Sequence, residues 1–143
     1  MAFREIAAVV IDNNFIDICT DNSSGHVSFD FWKIWEIWKK QNFDTLVMIH
    51  THPKGMNELS SIDHNMLDGW VKAFPIPILF VIVAGDNIDR CVAYLSSKNI
   101  TKFKVDFESN FLIKKIWELS TNNVEINKEI FYNNKCNFKV KVK

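Results

Sequence analysis

The chain has 143 residues, 48% apolar and 24% charged, which suits one packed domain and argues against a disordered segment. Seventeen basic residues balance seventeen acidic ones, so no overall field gathers nucleic acid or an anionic membrane surface, and neither partner is expected. Cys19, Cys91 and Cys136 are odd in number and lack a Cys-x-x-Cys pair, and the early apolar run is too short for a signal sequence or a membrane helix, so a cytoplasmic, reducing setting is expected.

Phe3 to Ile11 is rich in β-branched residues and alanine, Asp12-Asn13-Asn14 is a turn cluster, and Phe15 to Thr20 is a second apolar run. Together they predict a hairpin. Asp21 to Gly25 reads as a loop, with His26 beside its glycine carrying no chemical signal. From a cap at Ser28 or Asp30 a helix is expected to about Asn42, with Trp32, Trp35 and Trp38 as an aromatic stripe. Such a stripe packs on a sheet more often than it binds a partner.

Asp44 to His50 reads as a strand buried on both faces, because Leu46-Val47-Met48-Ile49 is apolar without alternation. A second helix is expected from Ser60 or Ser61 to about Phe74, with Ile62, Met66, Leu67, Trp70 and Val71 on its inner face, until Pro75 and Pro77 end it. Ile78 to Ala84, a Gly85-Asp86-Asn87 turn and Arg90 to Leu95 predict another hairpin. Thr101 to Phe107 reads as a strand, and Phe111 to Leu119 as a helix capped by Ser109 or Asn110. Val124 to Tyr132 and Asn137 to Val142 suggest a last hairpin around Asn133-Asn134, with Lys135, Lys139, Lys141 and Lys143 on its solvated face. The order predicts an α/β (α+β) domain with a mixed sheet flanked by helices, a core over about 3–107 and an appendage over about 108–143.

His50 and His52 stand at i and i+2 near a strand end, so alternation sends both imidazoles to one face, as a two-histidine metal grip requires. Ser60 and Asp63 follow at a helix start, where Ser-x-x-Asp also fits a capping box. Either role suits that pair. His64 falls on another side of the helix from Asp63 and reads as solvent-facing.

Written out, the pattern is His-Thr-His, seven residues, Ser, two residues, Asp, and it resembles the signature of the JAMM (MPN-plus) zinc metalloproteases. The resemblance covers roughly residues 3–107, and its specific part is the stretch from His50 to Asp63. It implies an MPN-like (cytidine-deaminase-like) fold holding one zinc ion on His50, His52 and Asp63, with a fourth position open for water. It also implies that Ser60 stabilises the oxyanion and that a glutamate at the head of an early strand is the general base. Glu5 stands in that position, with Glu36 in the first helix and Glu58 between the motif halves as rivals.

The activity so implied is hydrolysis of a peptide or isopeptide bond in a protein or peptide substrate, the C-terminal tail of a ubiquitin-like modifier being one candidate. Two other readings remain: a non-catalytic MPN-like scaffold binding a partner through Trp32, Trp35 and Trp38, and a phage-tail type of cell-wall peptidase.

Overall fold

The computed structural model describes residues 5–20, 29–52, 58–84, 91–96, 102–107, 110–122, 126–132, 136, 138 and 140–141, of which 102–107 and 140–141 by backbone alone. β1 (Ile6–Ile11) and β2 (Asn14–Thr20) form the predicted hairpin, turned by Asp12 and Asn13 at φ of 49° and 66°. Both lie in the left-handed region, which short polar side chains tolerate best. Asp12 Oδ1 accepts from the N–H groups of Asp44 at 3.0 Å and Thr45 at 2.9 Å, which ties the hairpin to the chain entering the next strand.

α1 (Phe31–Lys40) starts at Asp30, whose carboxylate accepts from the Lys33 N–H at 3.2 Å. β3 (Leu46–His52) and β4 (Ile78–Ala84) are parallel, and the connection between them carries α2 (Ser61–Ala73). β5 (Val92–Ser96) returns antiparallel to β4, and β6 (Lys102–Phe107) antiparallel to β5. α3 (Phe111–Asn122) follows, with Asn110 Oδ1 accepting from the Ile113 N–H at 3.0 Å, then α4 (Glu129–Tyr132) and β7 (Val140–Lys141). The strands lie in the order β2-β1-β3-β4-β5-β6-β7, one mixed sheet with helices on both faces.

β1, β3 and β4 are buried along most of their length, which explains their unbroken apolar runs. Val9, Met48, Phe80 and Ile82 pack under Ile34 of α1 and Leu67, Trp70 and Val71 of α2. On the other face Ile6, Ala8, Ile49 and Val81 pack under Leu112, Ile113 and Ile116 of α3. Trp35 and Trp38 turn inward onto the first of these layers, and only Trp32 of the stripe stands out, 70% exposed. No described helix is long and apolar enough to cross a membrane.

Two expectations are corrected. The C-terminal segment does not make a hairpin of its own: Glu129–Tyr132 is a short helix, and β7 pairs with β6. The reason is tertiary, because Phe131 is buried and stacks on Phe15 at 5.0 Å while Tyr132 meets the same ring edge-on at 5.0 Å. Ile62, expected on the inner face of α2, is 61% exposed. Capping at Ser60 sets the helix phase so that Asp63, Leu67, Trp70 and Val71 face inward, and Ile62 falls about 100° away from Asp63. The expected loop at 21–25, the Ser28 cap, the 85–87 turn, the Ser109 cap, the 133–134 turn and most of the lysine-bearing tail lie outside the described residues.

Candidate metal centre

His50 and His52 sit in the last part of β3, at the C-terminal edge of the parallel strand pair, where open α/β sheets place ligands. Both face the α1 and α2 side. Their imidazole centroids are 5.0 Å apart with the planes at 88°. Asp63, in the first turn of α2, completes the group: one potential ligand atom from each of the three residues lies within 4.8 Å of the other two. His52 and Asp63 are only 4% and 3% exposed, so the group is sunk into the sheet face.

Asp63 serves two neighbours with two oxygens. Oδ2 accepts from the Ser60 N–H at 3.0 Å and lies 3.1 Å from His52 Nε2, while Oδ1 lies 3.6 Å from His50 Nδ1. Ser60 Oγ accepts in turn from the Asp63 N–H at 3.1 Å, so the capping box is formed and the carboxylate still faces both histidines. The two roles left open for Ser60 and Asp63 are therefore compatible in one geometry. Burial pushes the Asp63 carboxyl up, but the His50 and His52 imidazoles and the Ser60 N–H outweigh that and hold it well below the usual carboxylate range. It stays ionised, as a cation ligand must.

His50 gives the clearest sign that the group is built for an ion. Its Nδ1 and Nε2 are both buried without a hydrogen-bond partner, and 3.6 Å to Asp63 is too long to count as one. A buried polar atom left unpaired costs about 1–3 kcal/mol, so an imidazole with two such atoms needs a compensating interaction. A cation bound by one of those nitrogens supplies it. Phe29 and Phe80 flank the ring at 6.1 and 6.3 Å, an apolar wall that offers His50 no alternative acceptor. The residues present thus fit a divalent ion of the kind that takes imidazole and carboxylate together.

The three glutamates considered as bases separate clearly. Glu36 is exposed on α1 and paired with Lys39 at 2.9 Å, pointing into solvent. Glu58 is exposed, and its charge, after burial, raises the Tyr94 hydroxyl on β5, which lies beyond β4 from the histidines. Glu5 immediately precedes β1. The pairing of β1 with β3 ends at Ala7 opposite His50, two residues on from Glu5, so the Glu5 end of β1 lies at the edge of the sheet where β3 carries the histidines. His64, as expected, is exposed.

Two residues here escaped sequence reasoning. Phe29 walls the site from the segment before α1, and Thr51 anchors the strand end that carries Glu5. A threonine caught between two prospective ligands at the end of a buried strand was the available signal for Thr51. Among the described residues, the His50, His52 and Asp63 cluster is the one group of three such side chains close enough to share an ion. No protein-family model matches the chain, and no curated protein matches it in sequence.

Proposed function

We propose that the protein is a zinc-dependent metallopeptidase of the JAMM (MPN-plus) type, with an MPN-like fold, hydrolysing a peptide or isopeptide bond. The observation that carries the reading is His50, a buried imidazole with neither nitrogen hydrogen-bonded, beside His52 and an ionised Asp63. The motif spacing supports it, as does the position of the three residues at the C-terminal edge of β3.

In this reading His50, His52 and Asp63 hold one zinc ion, which when bound supplies an acidified water and an electrophile for the scissile carbonyl. Glu5 accepts the proton from the attacking water and returns it to the leaving amine, so that one carboxylate acts first as base and then as acid. Ser60 accepts from the Asp63 N–H, which leaves its own hydroxyl proton to donate to the developing oxyanion. The Phe29 and Phe80 rings keep water from the far side of His50, strengthening the electrostatics inside the site. A protein or peptide with an extended tail, as on a ubiquitin-like modifier, is the substrate class proposed.

The test is direct. Protein purified without chelators should contain one zinc per chain and cleave a ubiquitin-like fusion at its C-terminal tail, and Glu5→Gln should retain zinc and lose turnover. Protein that takes up no zinc when supplied with it would sink the reading.

A further inference from the structure

Glu5 is attached to the fold by an arrangement that the hydrolytic reading alone does not require. The peptide group joining Glu5 to Ile6 is held at both ends by threonine hydroxyls. Its carbonyl accepts from Thr20 Oγ1 at 3.2 Å, and its N–H donates to Thr51 Oγ1 at 2.7 Å. Thr20 comes from β2 and Thr51 from β3, the two strands that flank β1, so one peptide plane is clamped from both sides.

The position of the clamp matters. From the turn end, the pairing of β1 with β3 runs from Ile11 with Leu46 to Ala7 with His50, and there it stops. β3 continues beside β4, Thr51 next to Val83 and His52 next to Ala84. The Thr51 side chain therefore takes the Ile6 N–H where the backbone ladder between β1 and β3 ends. Thr51 and Ile6 are both fully buried, so no water is at hand to replace that hydroxyl. Thr51 also alternates with His50 and His52, so one short segment carries the two imidazoles that would hold the metal on one face and reaches the start of β1 with the side chain between them.

We infer that Thr51, assisted by Thr20, is a positioning residue that fixes the Glu5–Ile6 peptide and thereby sets the Glu5 carboxylate against the His50, His52 and Asp63 centre. This rests on the peptidase reading and on Glu5 as its base. Catalytic groups lose efficiency when displaced by about 1 Å; without the Thr51 hydroxyl this peptide keeps the β2-side pairing of Ile6 with Thr20 but loses its bond to β3.

The test compares Thr51→Val, Thr51→Ser and Thr20→Val in the full chain loaded with zinc. Thr51→Val preserves shape and removes the hydroxyl. It should keep its zinc and its KM for a ubiquitin-like fusion and lose about tenfold to a hundredfold in kcat, with Thr51→Ser recovering most of the loss. In a Glu5→Gln background, Thr51→Val should cause no further loss, because the group it positions is already disabled. Amide exchange at Ile6 should speed up about tenfold or more in Thr51→Val whatever the activity. Thr20→Val, at a less buried site, should show a milder kcat loss and carries the comparison if Thr51→Val folds poorly. A Thr51→Val protein with wild-type kcat, or one that slows Glu5→Gln by the same factor as wild type, overturns the positioning role. Unchanged Ile6 exchange overturns the clamp itself. A zinc-loaded wild type that cleaves nothing, with Ile6 exchange raised in Thr51→Val, refutes the peptidase reading and with it any catalytic use of the clamp.

Discussion

Ser60 and Asp63 hold each other through their backbone amides, at 3.0 Å from the Ser60 N–H to Asp63 Oδ2 and 3.1 Å from the Asp63 N–H to Ser60 Oγ. The helix cap thereby orients the carboxylate that faces His50 and His52. Two variants separate the cap from the ion. Ser60→Ala should cost about 1 kcal/mol of folding stability by denaturant titration while zinc still binds. Asp63→Asn keeps a similar shape but removes the charge, and should weaken zinc strongly in a chelator competition. Wild-type zinc affinity in Asp63→Asn would eliminate it as a ligand.

His50 supplies a second, independent test. With its two buried nitrogens unpaired, the metal-free protein should be less stable than the loaded one, by about 2.7 kcal/mol when free zinc is a hundredfold above the dissociation constant. His50→Phe should lose one of the three prospective ligands, so added zinc should no longer raise its stability. A thermal melt with and without zinc decides. A zinc-dependent rise in the melting temperature of His50→Phe equal to that of wild type would eliminate His50 as a ligand.

Glu5→Gln should lower kcat by about a hundredfold to ten-thousandfold with zinc content unchanged, as expected for loss of a general base. Glu36→Gln breaks only the exposed pair with Lys39 and should leave turnover within error of wild type. Equal losses in both variants would point away from Glu5 as the base.

Asp17 on β2 gives a pH-dependent prediction away from the site. Its carboxylate takes Lys128 Nζ at 2.8 Å and Lys33 Nζ at 3.0 Å, joining α1 and the segment before α4 to the sheet edge. Burial pushes its carboxyl up, and the Lys128 and Lys33 ammonium groups and the Ile18 N–H more than reverse this, leaving it below the ordinary value. A depressed carboxyl contributes stability above its unfolded value, about 3.9, and that contribution disappears as pH falls through the folded one. Wild type should therefore exceed Asp17→Asn by a constant margin from neutral pH down to about 5, and the margin should shrink below about 4. Since both lysines are substantially exposed, about 1 kcal/mol per pair is the upper scale. A margin that grows on acidification would contradict the pairing.

Much of this was legible in the chain because it depends on local periodicity and capping. Alternation alone puts His50 and His52 on one face, Ser60-x-x-Asp63 starts a helix by its own chemistry, and the apolar runs at 46–49 and 78–84 mark central strands. The mixed-sheet fold class follows from those, while it is the resemblance of the spacing to the JAMM motif that singles out His50, His52 and Asp63 as prospective ligands. Tertiary structure alone decided the rest. It drew Phe131 into the core against Phe15, turning an expected strand into a short helix, and it left both His50 nitrogens without partners. It also brought Thr51 to Ile6 across 45 residues of sequence. The reason is physical: a residue's periodic pattern reports which way it faces, whereas its hydrogen-bond partner is chosen by whichever strand lies beside it in the folded sheet.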